Sequence, residues 1–93
     1  MIYKLKLKRH KQFVKDLRKA RMTYEQFQKL AQYLTLLVEG KHLPPEARDH
    51  ELLGVWQGFR EFHLGGDLLV IYRRTNNEII LARIGTHNQL FKS

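Results

Sequence analysis

Ninety-three residues with 17 Lys and Arg against 9 Asp and Glu carry a formal net charge of +8. At 43% hydrophobic and 11% aromatic residues the chain is too apolar for a disordered basic tail, yet so short that it builds one modest core, burying roughly 60–65% of its unfolded surface. Without cysteine it has no disulfide framework, thiolate nucleophile or Cys-ligated zinc, and its longest apolar run, Leu68 to Tyr72, is far short of the ~20 residues of a membrane span.

The charge is concentrated at the N-terminus. Lys4, Lys6, Lys8, Arg9, Lys11, Lys15, Arg18, Lys19 and Arg21 face the single anion Asp16 in residues 1–21, and the other 72 residues balance eight cations with eight anions. Such segregation reads as a docking surface rather than a solubility device. Tyr3, Leu5 and Leu7 alternate with Lys4, Lys6 and Lys8, which predicts a strand with one apolar and one cationic face. It offers no apolar core of a signal peptide, so a cytoplasmic protein is expected.

From Arg9 the period becomes helical, with Phe13, Leu17 and Ala20 among lysines and arginines. Thr23 and Gln26 fit a capping box for a second helix, whose apolar face is predicted as Phe27, Leu30, Ala31, Leu34 and Val38, with Gly40 as its C-terminal stop. Lys41 to Gly58, with Pro44-Pro45, reads as loop. Three strands follow, over 59–64, 68–74 and 79–85, separated by Gly65-Gly66 and Asn76-Asn77. The expected class is α+β with the order β-α-α-β-β-β, an antiparallel-rich sheet and two N-terminal helices, over a single domain spanning residues 1–93.

Two-residue turns at both pairs would set His63 opposite Leu68, Val70 opposite Arg83, Tyr72 opposite Leu81 and Thr75 opposite Glu78. One face would then gather Phe62, Leu69, Ile71, Ile80, Ala82 and Ile84 beneath the helices. The other would gather Glu61, His63, Leu68, Val70, Tyr72, Arg83 and, if the strand continues, His87. A three-residue turn at Gly65 to Asp67 would shift the register by one.

Histidine titrates near neutrality, so two imidazoles suit a general base and a general acid. RNA brings its own nucleophile, the ribose 2′-hydroxyl, and its cleavage needs no protein nucleophile and no metal. Arginine suits the charge developing at phosphorus. His50, His63, His87 and Arg83 could supply that set. Taken singly, His10 and His42 read as surface residues, His50 as a loop residue, His63 as a half-exposed strand residue, Trp56 as core rather than a base-stacking platform, and Phe91 as a C-terminal anchor.

At these residues the sequence resembles the YafQ branch of the RelE/ParE toxin superfamily. The resemblance rests on Asp49-His50, Leu53-Gly54, Trp56, Gly58, Arg60 and His63, then Asp67-Leu68 leading into Val70-Ile71-Tyr72, then Arg83, Gly85-Thr86-His87 and Leu90-Phe91. It implies a microbial-RNase-like fold and a ribosome-dependent mRNA interferase that cuts the codon in the A site without a cofactor. It also implies catalytic positions at His50, His63, Asp67 and His87, with Phe91 near the site and an acidic position at Glu61, where the branch commonly has Asp. Implied partners are the ribosome, mRNA and an antitoxin of the RelB/DinJ type, the complex binding operator DNA. In the roles expected here, His87 is the principal acid/base with His50 or His63 as counterpart, Arg83 stabilises phosphorane-like charge, and Asp67 tunes a histidine. Lys4, Lys6, Lys8, Lys11, Lys15, Arg18 and Lys19 dock ribosomal RNA. The rivals are a ParE-like topoisomerase inhibitor, which would not need the histidines, and a plain RNA- or DNA-binding module, which would leave them idle.

Overall fold

The computed structural model describes residues 4–91; Tyr3, expected in the first strand, lies outside them. In chain order the elements are β1 (Lys6–Arg9), α1 (Lys11–Lys19), α2 (Tyr24–Val38), β2 (His50–Glu51), β3 (Arg60–Gly65), β4 (Leu68–Arg74), β5 (Glu78–Thr86) and α3 (His87–Phe91), with 3-10 turns at Pro45–Ala47 and Gly54–Trp56. The five strands form one sheet in the order β1-β5-β4-β3-β2, with β1 parallel to β5 and the other neighbours antiparallel. The mixed α+β class and the element order agree with expectation. The additions are β2, inside the segment read as loop, and α3.

Local chemistry explains both N-terminal helices. His10 caps α1 by accepting the Gln12 N–H at 3.2 Å on Nδ1, satisfying a donor the first helical turn leaves orphaned. The Thr23/Gln26 box is made in both directions, at 3.1 and 3.0 Å. The buried stripe of α2 is Leu30, Tyr33 and Leu37, rotated from the predicted one, so that Phe27 and Ala31 face outward. Leu5, just before β1, is buried, but Leu7 is 48% exposed, and all four residues of β1, an edge strand, are exposed. Its lysines discourage pairing with another chain.

The sheet is apolar on both faces, which is where the predicted face sets need correction. Beneath the helices lie Phe62, Leu64, Leu68, Val70, Tyr72, Ile79, Leu81 and Ile84; on the opposite face Leu69 and Ile71 cluster with Leu90, Trp56, Phe59 and Ala82. Leu69, Ile71, Ile80 and Ala82 therefore do not face the helices, and Leu68, Val70 and Tyr72 do not share a face with His63. Irregularities in the ladders cause the difference. The β3–β4 turn is Gly66-Asp67 rather than Gly65-Gly66, and a bulge between His63 and Gly65 sets His63 opposite Leu69. A second bulge at Ile71/Tyr72 sets Arg83 opposite Ile71 and Val70 opposite Ile84, while Tyr72 stays opposite Leu81. Each extra residue flips everything beyond it to the other face.

Candidate active site

The two residues of β2 pair with β3, setting His50 opposite Glu61. Three features hold that short strand. Arg48 adopts a left-handed conformation, φ 50° and ψ 42°, uncommon for a residue with a side chain. The Tyr72 hydroxyl donates to both carboxylate oxygens of Asp49, at 2.8 and 2.9 Å, and Arg60 Nε donates to one of them at 3.1 Å. Burial, and then the neighbouring Asp49 carboxylate, push the Tyr72 phenol well above its ordinary range. Burial works against the Arg60 charge, but Asp49 outweighs it and raises the guanidinium further. Hydrogen bonds to a charged group are worth about 1.5–3 kcal/mol each, enough to anchor a two-residue strand that has little ladder of its own.

Glu61 is 4% exposed, the one buried charged side chain among the described residues. Its Oε2 lies 2.9 Å from His63 Nε2 and 3.4 Å from His50 Nε2, and the two imidazoles stack at 6.2 Å with planes 20° apart. An ionised carboxylate accepts only, so His63 presents a protonated Nε2 to it. His50 is oriented from its other side: Nδ1 lies 2.7 Å from the Arg48 carbonyl oxygen, which can only accept. Nδ1 therefore carries the proton and Nε2 keeps the lone pair in the neutral ring. A proton taken up at His50 Nε2 meets Glu61 directly. The ligand atoms of His50, Glu61 and His63 lie within 4.8 Å of one another, so the same three could also hold a metal ion, and two imidazoles with a carboxylate suit zinc or copper.

His87 and Phe91 reach the same face by a different route. Thr86 and Gln89 cap α3 reciprocally, Gln89 N–H on Thr86 Oγ1 at 3.2 Å and Thr86 N–H on Gln89 Oε1 at 2.9 Å. The chain thus turns into a helix at His87 instead of continuing as a strand. It folds back across Gly85, where a Cβ would meet Gln89 Oε1 at 2.9 Å and Leu90 at 3.2 Å, so a larger residue would displace the Gln89 cap and press on Leu90. Leu90 packs with Leu69 and Ile71, the residues standing between the Glu61/His63 strand and β5. The His87 and Phe91 rings are 4.7 Å apart. Asp67 occupies the exposed turn beside them: it precedes Leu68, whose partner is Thr86. It makes no hydrogen bond or ion pair to a described histidine.

Arg83 is engaged elsewhere. Its Nε and Nη2 donate to Asp16 at 2.7 and 3.1 Å, and Asp16 also accepts from Gln12 and from the Ile84 N–H at 3.2 Å. Burial pushes the Asp16 carboxyl up, but these hydrogen bonds and the Arg83 charge outweigh it and hold it below the usual range; the bond to Asp16 raises Arg83 in turn. The fork expected to serve the phosphate instead clamps α1 to β5.

Lys4, Lys6, Lys8, Lys11, Lys15, Arg18 and Lys19 are all exposed, and of these Lys8 is paired, with Glu78 at 2.7 Å. The structure thus gathers His50, Glu61 and His63 into one cluster, sets His87 and Phe91 on the helix over the same face, and leaves Asp67 at the rim. Sequence reasoning missed the anchoring roles of Asp49 and Tyr72, the Asp16 clamp and α3. The last had a signal, since Thr86-His87-Asn88-Gln89 has the capping-box spacing. Asp49 stood in the resemblance without a role and Asp16 had no signal, because Tyr72 and Arg83 lie 23 and 67 residues from them.

Comparison with known proteins adds an independent line. The family described as the bacterial toxin of the type II toxin–antitoxin system, YafQ, matches residues 5–92. The chain is 36% identical over 81 residues to the mRNA interferase toxin YafQ of Escherichia coli K12, covering 86% of this chain and 88% of that one. The E. coli DinJ–YafQ toxin–antitoxin complex contains a chain that superposes with a TM-score of 0.82 at 32% identity, over 95% of this chain and 98% of that one. A copper-bound mutant toxin from Helicobacter pylori superposes with a TM-score of 0.82 at 34% identity, over 94% of this chain and 99% of that one.

Proposed function

The chain belongs to the YafQ family of bacterial type II toxins, and on that footing we propose that it is a ribosome-dependent mRNA interferase cutting the A-site codon by acid/base chemistry. The observation that carries the mechanism is the buried Glu61 carboxylate between two imidazoles. His50 Nε2, its lone pair freed by the Arg48 carbonyl on Nδ1, takes the proton from the 2′-hydroxyl. Glu61 compensates the imidazolium that results, and His63 holds Glu61 in place. As the 2′-oxygen bonds to phosphorus and the 5′-oxygen leaves, His87 donates the proton the leaving group needs. The product strand ends in a 2′,3′-cyclic phosphate. Phe91 sets the His87 ring, and Asp67 lies on the rim where incoming RNA enters. Arg83 acts on the charge at phosphorus at most through its remaining edge.

The protein works in the cytoplasm, where the exposed cations of β1 and α1 dock ribosomal RNA and where an acidic antitoxin of the DinJ type covers it; the pair together binds operator DNA. No helix among the described residues is long and apolar enough to cross a membrane. The names of the curated relatives favour RNA cleavage over a ParE-like block of a topoisomerase, as do three histidines that a non-cleaving inhibitor would not use.

The test is cleavage on programmed ribosomes. His87→Ala should lose roughly 10²–10⁴-fold in rate, the range of general acid–base catalysis, with ribosome co-sedimentation unchanged; near-wild-type cutting would remove His87 from the mechanism. Cleavage should persist in EDTA. One observation supports a second reading, the close His50–Glu61–His63 ligand set together with a copper-bound structural neighbour. A metal there would occupy the lone pair of the base, so activity requiring added metal would decide for that reading.

A further inference from the structure

The sheet face that carries Glu61 and His63 continues into a groove of about 480 Å³ that the chemistry above does not use. Its floor is Trp56, Phe59, Ile80 and Ala82. Trp56 and Phe59 meet edge to face, with ring centres 5.3 Å apart and planes at 87°, so the floor is fixed before anything binds. The rim is made of donors. Arg73 is exposed and makes no hydrogen bond or ion pair with a described residue. Arg83, held by Asp16 through Nε and Nη2, and His10, whose Nδ1 accepts the Gln12 N–H, also line the groove. No carboxylate lines the groove.

An apolar aromatic floor beneath a rim of cations and N–H donors matches one ligand chemistry closely: a planar base stacked on the floor with its phosphate on the rim. Position points the same way. Arg73 and Ile80 pair across β4 and β5, two residues along β4 from the row of Glu61, Ile71 and Arg83. At ~3.4 Å per residue that is about 7 Å from the row of Glu61 on the side away from His87, within the reach of the next nucleotide of a strand whose reacting phosphate lies between that row and His87. We propose that this groove is a subsite for a nucleotide flanking the one cut, with Trp56 and Phe59 as the stacking platform and Arg73 as the phosphate ligand. The inference deepens the mRNA-interferase reading and rests on it for the identity of the strand.

Trp56 is the one tryptophan in the sequence, so its fluorescence reports on the groove floor and the packing beneath it. The probe is a 2′-O-methylated RNA hexanucleotide, which cannot be cut through its 2′-oxygen, titrated into the intact protein at low salt. Saturable quenching that fades as salt rises is expected, and Arg73→Gln should weaken it about tenfold, the effect of one lost charged contact. Phe59→Leu should also weaken it while circular dichroism shows the fold retained. Absence of quenching, or quenching that Arg73→Gln leaves unchanged, would overturn the subsite. So would quenching by an acidic amphipathic peptide and not by RNA, which would make the groove an antitoxin contact. Cleavage by the wild-type chain on ribosomes is measured in parallel. Cleavage without quenching removes the subsite and leaves the activity standing; quenching without cleavage removes the activity and leaves an RNA site.

Discussion

Asp16 offers the sharpest quantitative test of how the molecule is held together. It is the lone anion among the first 21 residues, its side chain is 10% exposed, and it accepts a two-nitrogen fork from Arg83, which is 28% exposed. Removing one partner of a fully buried pair costs about 3–5 kcal/mol because the other charge is stranded, and this part-buried pair lies at the low end of that range. Arg83 can turn partly to water, so Asp16→Ala should cost about 3 kcal/mol, including the orphaned Ile84 N–H. For a domain of this length that lowers Tm by roughly 12–24 °C. Asp16→Asn, which keeps an acceptor for Ile84 but loses the charge, should cost about 1–2 kcal/mol.

The pH dependence follows from the depressed carboxyl. A folded value below the unfolded one, which is about 3.9, gives stability that is present above that pH and lost as pH falls through the folded value. The gap between wild type and Asp16→Asn should therefore be flat from about pH 5 to 8 and close below about pH 4. Urea unfolding monitored by circular dichroism measures it, and a double cycle with Arg83→Gln isolates the pair. A loss of less than about 1 kcal/mol for Asp16→Ala, the range of exposed ion pairs, would refute the clamp, as would a gap that widens in acid.

Other changes test other parts. Replacing Lys11, Lys15, Arg18 and Lys19 together with Gln should weaken ribosome binding and make its log–log salt dependence shallower by roughly three units if most of them touch phosphate, as read by sedimentation at several ionic strengths. Tyr72→Phe removes both hydroxyl contacts to Asp49 and should cost about 2 kcal/mol. It should also slow cleavage, because Asp49 anchors the backbone next to His50; a stability loss with an unchanged rate would detach the anchor from the site. Zinc added to the wild type should inhibit by occupying His50, Glu61 and His63, and Glu61→Gln should need more zinc for the same effect.

Much of the fold was legible because its signals are local. The capping box at Thr23 and Gln26 and the switch from period two to helical period lie within a few residues of each other, and the structure realises them. The sheet faces were not legible, because Leu68 to Tyr72 is apolar on both sides and alternation cannot choose between them. Two bulges then moved the register: the first lies beside Gly65-Gly66, where the sequence left a one-residue shift open, and the second, opposite Ile71 and Tyr72, has no local signature. The site was half legible: the histidines stood out by chemistry, whereas what orients them did not. The Arg48 carbonyl acts through backbone geometry, and Asp49 looks in sequence like any loop aspartate.

The charge partition at first separates docking from cutting, with cations in residues 1–21 and histidines from His50 onward. The Asp16 clamp joins the two. Arg83 lies on β5, the strand that ends where His87 begins, so one ion pair sets the basic helix relative to the proposed acid. On the proposed function, binding strength would follow the number of exposed cations, and the register of a phosphate between the ribosome and His87 would follow the clamp. Asp16→Asn should thus bind ribosomes with an undiminished salt slope while cutting more slowly, and a 1 Å displacement of a reacting group can cost as much as 10²-fold. Measuring kcat and binding on the same ribosome preparation separates the two effects. If Asp16→Asn cuts at the wild-type rate, α1 is a tether whose orientation the chemistry ignores.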